Sequence, residues 1–175
     1  MADTTYASPI AGLPAQIALH TGRAVFTEAY AVIPHGVMRD IVTSYFPHWQ
    51  DTRGWIIARP MTGFSETFSQ YVIEVSPGGG SDRPEPDAGA ERVLFVVEGE
   101  ASVTIADKAH TLKPGGYAFL PPGTQWTLFN KGASPVRFHW IRKRYEVVDG
   151  IDIPAPFVAN EQDEPINWMP GTNST

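Results

Sequence analysis

The sequence predicts an all-β fold of the jelly-roll barrel kind, and three observations carry that reading. Short apolar runs rich in β-branched and aromatic residues recur along the chain, the breaks between them hold turn chemistry, and no helical periodicity competes with them. The runs are 24–33, 55–58, 68–75, 93–97, 102–105, 117–120, 125–129 and 136–141, each about the length of a strand. Between them lie Ser76-Pro77-Gly78-Gly79-Gly80, Glu98-Gly99, Lys113-Pro114-Gly115-Gly116 and Pro121-Pro122-Gly123. Glycine and proline supply the backbone angles that sharp turns need. Many short strands at regular spacing make a sandwich or barrel, and a jelly roll suits this spacing best.

The barrel is expected over residues 24–150. Residues 1–23 read as an N-terminal arm. Residues 151–175, where Pro154, Pro156, Pro165 and Pro170 interrupt a polar stretch, read as an extended C-terminal linker or docking tail. With 175 residues, 42% of them hydrophobic and 18% charged, the chain suits one globular domain. Its formal charge of −6 argues against nucleic acid and against an anionic membrane surface as partners. The absence of cysteine excludes thiolate chemistry. With no secretory signal pattern or membrane-length apolar stretch, a cytoplasmic protein is expected.

The most specific pattern runs from Gly115 to Asn130. It resembles the second signature of the cupin superfamily: a glycine, five residues, Pro-x-Gly, two residues, a histidine, three residues and an asparagine. Gly115, Pro121, Gly123 and Asn130 match, while Trp126 stands in the place of the histidine. The resemblance implies the cupin double-stranded β-helix, which identifies a fold and not an activity. Upstream, Gly80 to Gly99 stands where the first cupin signature belongs. Glu91 occupies the place of the acidic ligand, and no histidine precedes it.

A transition-metal cupin site needs imidazoles and a carboxylate converging from neighbouring strands. Glu91 alone does not supply that, and Glu85 and Asp87, beside prolines, read as a solvated loop. No metal is therefore expected in this chain. The candidate barrel pocket is Glu91, Trp126, His139 and Tyr71, with Ile73, Leu94, Val96 and Phe119 as further lining depending on register. The other histidines, His20, His35, His48 and His110, show no ligand spacing, and Arg142-Lys143-Arg144 reads as a solvated strand end or an interface.

From Phe26 to Gly150 the chain is similar to the N-terminal cupin of the (S)-ureidoglycine aminohydrolase family, two-cupin enzymes also called glyoxylate-induced proteins. The residues that carry this are Tyr30–Gly36, Tyr71–Val75, Glu91–Gly99, Gly115–Gly123 and Arg142–Gly150. The resemblance implies hydrolysis of ureidoglycine to ureidoglycolate and ammonia in allantoin and purine catabolism. It also implies manganese held in the family's C-terminal cupin, with the N-terminal cupin degenerate. No catalytic residue carries over, because no position here matches those motifs. The partner expected is a second cupin domain or a second copy in a homodimer. The alternative is a stand-alone, non-catalytic cupin that binds a small polar ligand.

Overall fold

Strand-forming runs and turn residues together determine the architecture. The structure, a computed structural model, describes residues 25–26, 30–33, 46–58 and 67–165. The expected N-terminal arm and the last ten residues of the tail lie outside the described residues. The strands are β1 (Val25–Phe26), β2 (Ala31–Val32), β3 (Gln50–Ala58), β4 (Phe68–Ser81), β5 (Ala90–Glu98) and β6 (Ala101–Ile105). They continue with β7 (Lys108–Leu112), β8 (Gly116–Leu120), β9 (Trp126–Phe129), β10 (Val136–Arg144) and β11 (Phe157–Asn160). No helix occurs among the described residues, so none there is long and apolar enough to cross a membrane.

β1 and β2 pair with each other, and the remaining strands hydrogen-bond in the order β11-β8-β5-β10-β4-β9-β6-β7, with β3 also on β4. β4 belongs to both halves of this barrel. Its first part pairs with β10 and β3, and Gly80 and Ser81 pair with β9. The bend between these parts is the Ser76–Gly80 stretch, expected from sequence as a turn. It keeps strand pairing because Gly80 adopts φ 141°. A Cβ there would also press on Phe129 Cα at 2.7 Å, so glycine is required on both counts. The motif glycines Gly115 and Gly123 have φ of 80° and 76°, the left-handed turns their spacing predicts.

Two elements escape the sequence reading. β7 is short, with only Leu112 of its five residues buried. β11 lies inside the expected tail and pairs with β8, so that tail extends the sheet before the chain leaves the described region.

Strand alternation sorts side chains strictly. On β10, Val136, Phe138 and Trp140 are buried inside, while Arg137, His139 and Ile141 are half-buried on the outer side. The interior gathers Ile73, Val75, Leu94, Val96, Leu120, Leu128 and Phe138, none of them measurably exposed. Asn130 locks the β4 corner to the end of β9. Its amide donates to Val75 O at 2.9 Å and to Ser134 O at 2.8 Å, and its Oδ1 accepts from Gly132 N at 2.9 Å. On the outer side Glu74, 5% exposed, accepts from Arg53 Nε at 2.7 Å and from Arg137 Nη2 at 2.7 Å. Burial works to raise the Glu74 pKa, but hydrogen bonds and charge from Arg137 and Arg53 outweigh it and hold the carboxyl below its ordinary value.

Asn130→Ala strands the buried Val75 carbonyl and removes two part-buried bonds, and should lower unfolding free energy by about 2 kcal/mol in urea titrations. The Glu74 contribution is complete above the ordinary carboxylate pKa and disappears as pH falls through the lower folded value. Urea midpoints measured from neutral to acid pH should therefore fall less steeply in Glu74→Gln than in the wild type.

Candidate functional site

The mouth of the barrel is built by the inward residues of β4, β5, β9 and β10 and by the 82–89 loop. Two layers meet there. The lower layer is aromatic: Trp49 packs on Trp126 (centroids 6.4 Å), on Trp140 (5.7 Å) and on Phe138 (6.3 Å). Trp126 meets Trp140 edge to face at 6.0 Å, and Tyr71 lies 5.9 Å from Trp140. Trp49 enters this layer because its indole N–H donates to Pro84 O at 3.2 Å, which ties the start of β3 to the loop.

Above the rings lies a buried ion cluster that the sequence reading missed. Glu85 accepts from Arg142 Nε and Nη2, both at 2.6 Å, in a bidentate pair. Arg92 approaches the same carboxylate, Nε to Oε2 at 3.4 Å, with both side chains 2% exposed. Arg92 also donates to Asp87 O at 2.6 Å and Pro121 O at 3.3 Å, pinning the loop and the motif turn. Its Nε makes no hydrogen bond, so the approach to Glu85 is charge attraction without good donor geometry. Arg142 stacks over Trp140 at 5.1 Å.

Burial pulls the Arg92 pKa down, partly offset by Glu85. Burial acts the same way on Arg142, but the bonds and charge of Glu85, helped by Tyr71, push it up. Both remain cations, as guanidiniums do in proteins. Asp87 adds its charge to that of Glu85 in acting on Arg92, so the two guanidiniums of the mouth face two carboxylates.

These facts correct the reading of Glu85 as part of a solvated loop and of Arg142 as part of a solvated strand end. Pro84 and Pro86 hold the loop extended across the mouth, and strand alternation turns Arg142 inward after Phe138 and Trp140. The signal was present: Arg92 shares parity with Leu94 and Val96, and Arg142 with Trp140.

Of the four candidate pocket residues, the structure brings Tyr71 and Trp126 into the aromatic layer, both against Trp140. It does not bring Glu91 and His139 with them. Both have odd parity on strands whose even positions face inward, so they lie on the outer side of the sheet. His139 sits beside Gln70, Nδ1 to Nε2 at 3.1 Å, and faces a shallow groove with Val93, Phe95 and Tyr117. Burial first, and Glu91 second, pushes the Tyr117 phenol up. Phe119 is likewise outside, 5.7 Å from Phe157.

The described residues of the mouth do not form a donor set for a metal. Among the described residues no group of three or more His, Asp or Glu gathers in ligand geometry. The buried polar atoms inside that lack a partner are Arg92 Nε, Trp126 Nε1 and Trp140 Nε1, all donors, and donors cannot coordinate a cation.

Comparison with known proteins agrees with this fold. Residues 62–145 match the EutQ-like cupin domain. A protein from Pseudomonas aeruginosa described as glyoxylate-induced superposes with a TM-score of 0.79 at 56% identity, over 94% of this chain and 60% of that one. The chain has the cupin fold. This cupin is also similar to (S)-ureidoglycine aminohydrolase of Escherichia coli, 27% identical over 67% of this chain and 42% of the enzyme. The Arabidopsis thaliana enzyme of that name is 29% identical over 85% of this chain and 47% of the enzyme. The chain therefore spans less than half the length of these two relatives.

Replacing Glu85 by Ala would leave two guanidiniums without their shared carboxylate. Unfolding free energy should fall by about 3–5 kcal/mol in urea titrations, whereas the exposed Glu100→Ala, at the 3.8 Å surface pair with Lys113, should change it by less than about 1 kcal/mol.

Proposed function

We propose that this cupin is the metal-free member of a (S)-ureidoglycine aminohydrolase assembly in the cytoplasm, a scaffold for a metal-bearing partner cupin that carries out the hydrolysis. The observation behind this is the barrel mouth. Where the cupin signature places a histidine ligand, Trp126 packs in an aromatic layer, and the carboxylate above it, Glu85, is already held by Arg142 and Arg92. A carboxylate held in a bidentate pair by one guanidinium and approached by another is a poor metal ligand. The similarity to enzymes named ureidoglycine aminohydrolase, each more than twice the matched length, supports a role alongside a second unit. In this reading manganese and the hydrolytic chemistry belong to the partner, and the present chain contributes shape and stability.

A small-ligand role has one observation in its favour. The three orphaned donors of the mouth suit an acceptor-rich molecule. Calorimetric titration with ureidoglycolate tests it: heat that vanishes in Arg142→Met supports this second reading, and no heat removes it.

The scaffold reading is tested by metal analysis of the purified chain with and without added manganese, and by ammonia release from ureidoglycine. The expected result is less than one-tenth of an equivalent of manganese and no ammonia above background from the chain alone. Activity should appear, or rise at least about tenfold, when a metal-bearing ureidoglycine aminohydrolase cupin is added. Stoichiometric manganese and ammonia release by the chain alone would overturn it.

A further inference from the structure

The outer face of the β10-β5-β8-β11 sheet is apolar where a solvated face should be polar. Register places Ile141, Val93, Phe119 and Phe157 in one row across the four strands. His139, Phe95, Tyr117 and Ala159 form the next row. Between the rows lies a groove of about 500 Å³, floored by Val93, Phe95 and Ile141 and edged by Gln70 and Glu161. Both edge residues carry oxygens able to accept a hydrogen bond.

The chain itself arrives at this groove. β11 is the edge strand of the sheet, and Glu161 follows it directly. Its N–H donates to Gly115 O at 3.0 Å, which holds it against the start of β8. A turn then closes, with Asp163 N–H bonded to Asn160 O at 3.0 Å and Gln162 N–H to Asn160 Oδ1 at 2.9 Å. The chain is thus reversed at the rim of the groove. Next after Pro165 in sequence stand Ile166, Asn167, Trp168 and Met169, the one apolar run that follows β11, and beyond Pro170 the sequence is polar.

We propose that the groove is a docking site for a short apolar segment, and that its occupant is the chain's own 166–169 run, with Trp168 set against Val93 and Phe95. The chemistry matches on both counts. An apolar, partly aromatic floor suits an indole ring, and an indole N–H needs an acceptor at the wet edge, which Gln70 or Glu161 supplies. Reach is ample: the seven residues from Glu161 to Trp168 span up to about 23 Å extended, against about 10 Å from β11 to β5. Two other segments fit less well. The one between β10 and β11 leaves Val147, Val148 and Ile151 exposed at 74%, 54% and 62%, so it does not bury its apolar side chains here. Residues 1–24 join the barrel at β1, which pairs with β2 and not with this sheet. The inference goes beyond the scaffold role and does not depend on it.

NMR of the full chain with labelled isoleucine and valine methyls reads the contact directly. The Trp168 indole, identified by the signal lost in Trp168→Phe, should show nuclear Overhauser contacts to the methyls of Val93 and Ile141. Trp168→Ala should lower the urea midpoint by about 0.5 M and raise the fluorescence of added anilinonaphthalene sulfonate about threefold, as the groove loses its cover. Asn173→Ala, in the polar stretch, should change neither. The methyl contacts are read on the wild type, so they decide the matter even if Trp168→Ala fails to fold. Their absence would overturn the proposal. Contacts seen only between labelled and unlabelled copies in a mixed sample would overturn it too, because the occupant would then be another chain's tail.

Discussion

Glu85 is the interaction on which the barrel mouth depends. Arg92 and Arg142 face each other across the β5–β10 pair, and two guanidiniums side by side in a low-dielectric interior repel. The carboxylate between them, 2.6 Å from Arg142 and 3.4 Å from Arg92, is what makes that pairing tolerable. It arrives on a loop held by Trp49 at Pro84 and by Arg92 at Asp87. Loop, two strands and the signature turn at Pro121 thus converge on one anion.

The aromatic layer below explains why the charges can be there at all. Trp140 is 2% exposed and Trp126 5%, and their rings occupy the interior around the position where a metal-binding relative presents imidazole. Arg142 lies over the Trp140 ring, a flat cation on a flat π-face. The barrel is therefore filled and capped, and its chemistry is that of donors seeking acceptors. Small barrels commonly end in this state, with side chains occupying the lumen. On the outer side of the same strands Ile141, Val93, Phe119 and Phe157 line up in one row.

Much of the fold was legible in the residues. Glycine and proline spacing located most turns, and the Gly115–Asn130 pattern identified the cupin barrel before any strand was placed. β7 was invisible because only Leu112 among its five residues is buried. β11 was hidden behind the prolines that precede it, since its strand character comes from pairing with β8. The site was legible only in part. Tyr71 and Trp126 follow from their strands, whereas Glu91 was placed by motif analogy against its own parity, three residues from inward-facing Leu94. His139 suffered the same error between Phe138 and Trp140.

The sequence by itself determined the all-β class, the turn positions and the replacement of a ligand histidine by Trp126, because these rest on local backbone preference and residue identity. Only the tertiary structure decided that Glu85, separated from Arg142 by 57 positions, is its bidentate partner. The same holds for the rows of apolar residues that four strands align on the outer face. Pairings between distant segments depend on strand register and loop path, and neither is encoded in any one stretch of chain.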